Sequence, residues 1–301
     1  MKAYLQLIRA PNLITAAADA AAGFILMAAV DGTLDRLHWL RLAALMAVSA
    51  ALYASGVAFN DCLDAEKDQA HRPDRPIPSG AVPLGRAFLL GALLTLGALF
   101  AAMLLGQVTV LYVTLLIIAI WLYNGALRRW IFPGALGLGL CRFLNMQLGM
   151  STGMSLRYFS VHNYPELLLA PALLGAYAAI VTVVSAYEDR PAGRSGAWVL
   201  GGSAAAMCLV LSGALFGVVG TAAGQVLLGV LILGLAVTLI APLVRLTFAS
   251  VRRAVAAAVV LIIAFDAAIV LGVRGAPLWL GLGMLFSLAP AALLARKLSP
   301  S

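Results

Sequence analysis

Long runs of apolar residues recur along almost the whole chain and constrain its fold more than any other feature. A helix that crosses a bilayer needs about 20 such residues, and lipid admits only helices or closed barrels as spanning structures. With 63% hydrophobic and 11% charged residues in 301, we expect an all-α, polytopic transmembrane helical bundle forming one domain over 1–301. Ten segments qualify as spans: 11–30, 40–60, 84–104, 107–124, 132–151, 165–186, 197–218, 222–244, 252–273 and 277–295.

Basic residues are distributed unevenly over the short connections between these segments. If the N-terminus is cytoplasmic, fifteen of the twenty Lys and Arg residues fall on the cytoplasmic side and four on the opposite side, with Arg142 inside a span. This asymmetry is the positive-inside pattern of membrane proteins. It predicts that the end of the second span faces the cytoplasm, and the arginine- and alanine-rich composition favours a bacterial inner membrane.

Charge and cysteine content argue against other classes of partner. The net charge of +8 is spread over many loops and is not gathered on one basic surface, so no nucleic acid is predicted as a partner. Cys62, Cys141 and Cys208 are too few and too far apart for a disulfide framework or a zinc site. Membrane lipid is the partner that composition predicts.

Residues 59–80, FNDCLDAEKDQAHRPDRPIPSG, hold five of the twelve acidic residues of the chain. If the second helix continues through them at about 100° per residue, one face of roughly 100° collects four polar side chains: Asn60, Asp61, Asp64 and Asp68. Like charges so placed repel one another, and charge near a membrane core is costly. Carboxylate and amide oxygens suit Mg²⁺, so we predict a Mg²⁺ site. The alternative is a solvated acidic loop without a ligand.

Two arginines, Arg72 and Arg75, follow the acids in a proline-rich turn. Guanidinium groups bind phosphate through paired hydrogen bonds. Acids that hold a metal and arginines that hold phosphate together predict a diphosphate site. The alternative is that these arginines only orient the chain in the membrane.

These residues resemble a known family. Asn-Asp-x-x-Asp-x-x-x-Asp at 60–68, followed by RPIPSG, is similar to the first aspartate-rich motif of the UbiA superfamily of intramembrane prenyltransferases. LIRAPNLIT (7–15) and WLYNGALRR (121–129) resemble the start of the family's first helix and the end of its fourth span. GLCRFLNMQLGMS (139–151), together with SAYEDRPAG (185–193), resembles the EboC-like branch.

The resemblance implies both a fold and a reaction. The family usually has nine spans, so we expect nine or ten in a UbiA-type bundle. The implied reaction is Mg²⁺-dependent transfer of a polyprenyl group from a prenyl diphosphate donor to an aromatic or other electron-rich, lipophilic acceptor. Asp61, Asp64, Asp68 and Tyr123 are the implied catalytic residues, with Tyr123 orienting the chain or donating to the diphosphate.

The second acidic motif of the family falls at 185–189, where this chain departs from it. The family has Asp-x-x-x-Asp, and here Ser185 replaces the first aspartate. Glu188 and Asp189 share a helical face with Ser185, so we expect them to hold metal on this side. The alternatives are less metal at this motif, or a fold that has lost its activity.

Three further residues are predicted to contact the diphosphate. Arg128 lies five positions after Tyr123, where the family often has a basic residue after four. Arg142 and Asn145 share one face of the fifth predicted helix. For this pair the alternative is a polar contact between helices.

Two other functions fit the pattern less well. Transporter sites lie near the middle of the membrane, whereas the acids here are followed by arginines at a membrane face. A non-catalytic protein that kept the fold would bind neither Mg²⁺ nor a prenyl diphosphate. Asp19 and Asp266 also lie within spans; the resemblance places Asp19 near the acceptor, and the sequence gives Asp266 no role.

Overall fold

The computed structural model describes residues 1–153, 164–188, 194–245 and 248–298. These residues form α-helices and two 3-10 turns, Leu34–Arg36 and Leu127–Arg129, and contain no strand. The helices are α1 (Lys2–Leu7), α2 (Ala10–Val30), α3 (Trp39–Leu63), α4 (Ala65–His71), α5 (Leu84–Leu105), α6 (Gln107–Gly125), α7 (Ile131–Met150), α8 (Glu166–Ser185), α9 (Arg194–Gly217), α10 (Ala222–Arg245), α11 (Phe248–Gly272), α12 (Leu278–Phe286) and α13 (Leu288–Leu298).

Each of the ten predicted segments coincides with a long helix or, for the last, with the pair α12 and α13. In the described residues, six helices are long and apolar enough to cross a membrane: Ala10–Val30, Trp39–Leu63, Leu84–Leu105, Gln107–Arg129, Glu166–Ser185 and Val251–Gly272. Helix α7 is not among them because Arg142, Asn145 and Gln147 make it more polar. The all-helical bundle is therefore confirmed, and the count of nine or ten spans stays a prediction.

The long helices form a ring in chain order, in which each packs against the next and α11 returns to α2. Helix α2 also packs against α7, and this pair divides the ring into two half-bundles. One half, with α3, α5 and α6, has a core that includes Leu45 and Leu148. The other, with α8 to α11, has a core that includes Tyr177 and Phe265.

Glycines bring α2 and α7 into backbone contact along the seam between the half-bundles. A Cβ atom on Gly149 would lie 2.0 Å from the carbonyl oxygen of Ala20, and one on Gly23 would lie 2.1 Å from that of Met146. Small residues permit this close approach between membrane helices. The seam therefore fixes which side chains of α2 and α7 face each other.

Large apolar side chains cover the outer surface of α5. Leu93, Leu96, Phe100 and Leu104 are each more than half exposed. A continuous apolar surface of this kind is unusual on a protein surrounded by water. It is the surface expected of a helix that faces lipid, which agrees with an integral membrane protein.

Candidate functional site

The acidic stretch lies where α3 ends and α4 begins. Helix α3 ends at Leu63, so it is not continuous through Asp68 as predicted. The break at Asp64 is small: the Asp64 amide donates to the Asn60 carbonyl at 3.1 Å, and the Asp68 amide donates to the Asp64 carbonyl at 2.8 Å. These bonds keep helical spacing of the backbone across the break.

Arginines from separate parts of the chain neutralise two of these carboxylates. Arg75, in the turn after α4, places Nη1 2.5 Å from Asp68 Oδ2 and 3.6 Å from Asp61 Oδ1. Arg9, between α1 and α2, places Nη2 3.5 Å from the same Asp61 oxygen. Asp61 and Asp68 therefore face one side and share Arg75.

A third arginine, Arg128, bridges the other two polar side chains of the stretch. Its Nη1 donates to Asn60 Oδ1 at 2.6 Å and forms an ion pair with Asp64. Its Nε donates at 2.7 Å to the backbone carbonyl of Asn124. The side-chain amide of Asn124 in turn donates at 2.9 Å to the backbone carbonyl of Gly56 on α3. The end of α6 is thereby tied to α3, and the guanidinium is held over the acids.

The backbone at Arg9 is unusual. Its φ of 47° and ψ of 56° are left-handed, and it is the one non-glycine residue with positive φ in the described part of the chain. Such residues are uncommon and gather at functional sites. The sequence-based prediction did not include Arg9 in the site, although the segment LIRAPNLIT carried the signal: an arginine just before the first long apolar helix.

A cavity of about 170 Å³ lies between α2, α3, α6 and α7 and adjoins the acidic stretch at Asn60. Arg9, Asn60 and Tyr123 line its outer end, and Ser49 and Asn145 line its inner end. Between the two ends the wall is mainly apolar, formed by Leu52, Val57, Leu116, Ile120 and Leu138.

Arg142 and Asn145 contact Asp19 and lie away from the acidic stretch. Arg142 Nη1 lies 2.7 Å from Asp19 Oδ2, and the Asn145 amide donates to the same oxygen at 3.0 Å. Ser49 donates to Asn145 Oδ1 at 2.7 Å. On α3, Ser49 and Asn60 are separated by a rise of roughly 16 Å. The structure therefore does not bring Arg142 and Asn145 to the acids, and their predicted diphosphate role is untested.

The remaining predicted residues lie nearer the membrane surface. Arg72 is exposed at the end of α4, and Glu188 is half-buried just after α8. Asp189 lies outside the described residues. The Ser185 hydroxyl donates to the Thr182 carbonyl of its own helix at 2.9 Å.

Histidine, cysteine and carboxylate side chains of the described residues do not gather into any group of three or more that could hold a metal ion. At the acidic stretch, Asp61, Asp64 and Asp68 each pair with a guanidinium instead. In this arrangement, any metal would have to share these oxygens with the arginines.

The fold and the site define a class: an integral membrane helical bundle with a cluster of paired acids and arginines beside a cavity between its helices. Sequence comparison identifies the family within that class. The profile of the UbiA prenyltransferase family matches residues 20–252, and the chain belongs to this family.

Curated relatives include digeranylgeranylglyceryl phosphate synthases from archaea. That of Ignicoccus hospitalis is 33% identical over 162 residues, covering 54% of this chain and 47% of the relative. That of Metallosphaera sedula is 34% identical over 159 residues, covering 52% and 50%. The chain thus spans about half the length of these curated relatives. The EboC-like branch and the bacterial origin stay predictions.

Solved structures show the same fold. A UbiA homolog from Aeropyrum pernix superposes with a TM-score of 0.64 at 20% identity, covering 85% of this chain and 96% of that one. A UbiA homolog from Archaeoglobus fulgidus bound to GPP and Mg²⁺ gives 0.56 at 14% identity, covering 98% and 99%. The predicted UbiA-type fold is confirmed.

Proposed function

We propose that this protein transfers a prenyl group from a prenyl diphosphate to a lipophilic or aromatic acceptor within the membrane, with Mg²⁺ as cofactor. The observation that carries the proposal is the acidic stretch, where Asp61, Asp64 and Asp68 pair with arginines beside the end of the cavity that Arg9 and Asn60 line. An apolar wall continues inward from these groups. Family membership and the homolog bound to GPP and Mg²⁺ support the same reaction.

The donor set fits Mg²⁺. Asn60, Asp61, Asp64 and Asp68 offer only oxygen ligands, which this ion prefers. When bound, Mg²⁺ would neutralise the negative charge that builds up on the departing diphosphate. Glu188 and Asp189 are proposed to complete the metal site from the end of α8.

The arginines can hold phosphate while they remain beside the acids. A guanidinium carries several N–H donors, and Arg75 contacts the two carboxylates through Nη1 alone. We assign Arg72, Arg75 and Arg128 to the diphosphate. The predicted assignment of Arg142 and Asn145 to it is less favoured, because both contact Asp19 and neither contacts an acid of the stretch in the described residues.

The proposed reaction breaks the C–O bond between the allylic carbon and the diphosphate. The acceptor then forms a bond to that carbon and loses a proton, and diphosphate is released. Tyr123 lines the outer end of the cavity, where it can orient the first part of the chain. The apolar wall would exclude water from the carbocation.

We further propose a single prenyltransferase domain over 1–301 with nine or ten spans and the site on the cytoplasmic face of a bacterial inner membrane. The asymmetric distribution of Lys and Arg supports this orientation. Helices α9 and α10, with 24 residues each, are long enough for two of the additional spans.

One experiment tests the proposed function. Purified protein is incubated with geranyl, farnesyl or geranylgeranyl diphosphate, Mg²⁺ and a membrane extract that supplies acceptors, and products are read by mass. A product heavier than an extract lipid by one prenyl group, formed only with Mg²⁺, supports the proposal. Intact donor under all conditions contradicts it, and movement of a labelled solute without chemistry would indicate a transporter.

Replacing Arg128 by alanine is expected to weaken binding of the diphosphate donor by about tenfold or more, because a charge-assisted contact is lost. The measurement is donor affinity in the presence of Mg²⁺. Arg129→Ala is the matched control, since Arg129 is the next residue and is exposed. Equal losses in the two variants would exclude a specific role for Arg128.

Glu188→Gln is expected to raise the Mg²⁺ concentration that gives half-maximal activity, because a charged oxygen ligand becomes a neutral one. The matched control is Glu166→Gln, at the opposite end of α8. An unchanged Mg²⁺ requirement in Glu188→Gln would show that this residue does not replace the missing aspartate.

A further inference from the structure

The inner end of the cavity is polar, although the wall leading to it is apolar. Ser49, Arg142 and Asn145 line this end, which we call the polar floor. Their exposed fractions are 1%, 8% and 5%. One turn further along α3 and α7 lie Leu45 and Leu148, both with 0% exposure. The cavity therefore ends at the polar floor and does not continue toward the far side of the bundle.

The central group of the polar floor is held firmly in place. Arg142 Nη1 pairs with Asp19, Nη2 donates to Thr15 Oγ1 at 2.9 Å, and the guanidinium carbon lies 5.7 Å from the centre of the Tyr53 ring. Asp19 has no exposed surface. Separating a buried ion pair leaves a costly charge in the interior, so the guanidinium cannot swing aside to admit a ligand.

A second carboxyl group behind the polar floor reinforces this arrangement. Asp266 of α11 is also fully buried and lies near Asp19. No N–H or O–H donor of the described residues reaches either Asp266 oxygen or Asp19 Oδ1. Neither Asp19 nor Asp266 lines the cavity, so both carboxyl groups lie behind the guanidinium that they attract.

We propose that Ser49, Arg142 and Asn145 limit the length of prenyl chain that the cavity accepts. The inference rests on the proposed function, which places the diphosphate at the acidic stretch and the chain along the apolar wall. Between Asn60 and Ser49 the available depth is roughly 16 Å. A chain that stops within this depth contacts mainly apolar side chains, with Tyr53 and Asn124 also in the wall.

A longer chain presses methyl groups against the polar floor. Arg142 carries five N–H groups, and two of them have acceptors in the protein. The chain covers the others and offers them no hydrogen bond. An unsatisfied buried polar group reduces affinity by about 5- to 140-fold. In contrast, each additional isoprene unit that contacts apolar wall raises affinity. Affinity is thus expected to rise with chain length only until the chain reaches the polar floor.

The test is equilibrium binding of geranyl, farnesyl and geranylgeranyl diphosphate to the full chain in detergent with Mg²⁺. We expect the natural protein to bind the geranylgeranyl donor no more tightly than the geranyl donor. In the double variant Asp19→Leu/Arg142→Met, geranylgeranyl diphosphate should gain about tenfold or more relative to geranyl diphosphate. Replacing a buried ion pair by apolar residues of similar volume is often tolerated.

Two further variants make the result decisive. Asn145→Leu keeps the ion pair between Arg142 and Asp19. It should likewise raise the affinity for geranylgeranyl diphosphate relative to that for geranyl diphosphate. Gln147→Leu is the matched control, because Gln147 lies on α7 but donates to the Leu167 carbonyl on α8 and does not line the cavity. It should leave the ratio unchanged.

The outcomes separate this inference from the proposed function. The length limit is wrong if the natural protein binds donors more tightly with every increase in chain length. It is also wrong if neither Asp19→Leu/Arg142→Met nor Asn145→Leu changes the ratio of the affinities for geranylgeranyl and geranyl diphosphate. In both cases the proposed function stands. If no donor binds to the natural protein with Mg²⁺, the proposed function itself fails, and the length limit fails with it.

Discussion

Asp64→Ala is expected to lower the rate of prenyl transfer by about 1,000-fold, the size of loss seen when a group that stabilises transition-state charge is removed. Asp64 is one of four oxygen-bearing side chains proposed to hold Mg²⁺, and it also pairs with Arg128. Its loss removes a metal ligand and frees the guanidinium from its partner. The measurement is the rate of product formation by mass, with donor and Mg²⁺ at saturating concentrations.

Glu66 provides the matched control for this prediction. It lies two residues from Asp64 within the same acidic stretch, but its side chain is exposed. Glu66→Ala changes the net charge by the same amount and should keep nearly full activity. Thermal unfolding should show that both variants remain folded. Full turnover by Asp64→Ala would remove this residue from the metal site, and Asp61→Ala tests the neighbouring ligand in the same way.

Gly149→Ala is expected to destabilise the protein by about 3 kcal/mol, at the upper end of the usual cost of overpacking. The new Cβ would lie 2.0 Å from the carbonyl oxygen of Ala20 and 2.8 Å from its carbonyl carbon. Backbone atoms cannot rotate away as a side chain can, so α2 and α7 must separate. The measurement is the unfolding midpoint in detergent.

Gly97→Ala is the control for this substitution. Gly97 lies in the middle of α5, and apart from its own helix backbone no atom of the described residues lies within 4 Å of the position its Cβ would take. Alanine there should stabilise the helix by up to about 1 kcal/mol, because it favours helix more than glycine does. If both variants behave alike, the seam between α2 and α7 is looser than the structure indicates.

Hydropathy alone predicts most of the fold. Spans are found from sequence because lipid requires long uninterrupted apolar helices, and the ten segments coincide with helices accordingly. Helix α1 was not predicted, since it has only six residues, and the first part of α4 was predicted as a continuation of the second helix. The break of the second helix at Asp64 was not predicted either, because the residues on its two sides are similar in composition.

The site was predicted only in part, for a physical reason. Asn60, Asp61, Asp64 and Asp68 lie close together in sequence, so helical periodicity places them on one side. Their partners come from distant segments: 52 residues separate Arg9 from Asp61, and 64 separate Arg128 from Asp64. No local pattern encodes such pairings. The same holds for Arg142 and Asp19, 123 residues apart, whose pairing depends on the glycine seam.

The balance of charge at the acidic stretch bears on how the protein is made. Three carboxylates meet three guanidiniums there, so their formal charges cancel before any ion or substrate arrives. Many small proteins whose metal ligands have no internal partners unfold in chelators, whereas we expect this one to insert and fold in the apo form. If metal and donor bind here as proposed, loading is an exchange of partners among groups already in place, and product release would restore the original pairs. The arginines would then act as counter-ions that return the site to its starting state after each turnover.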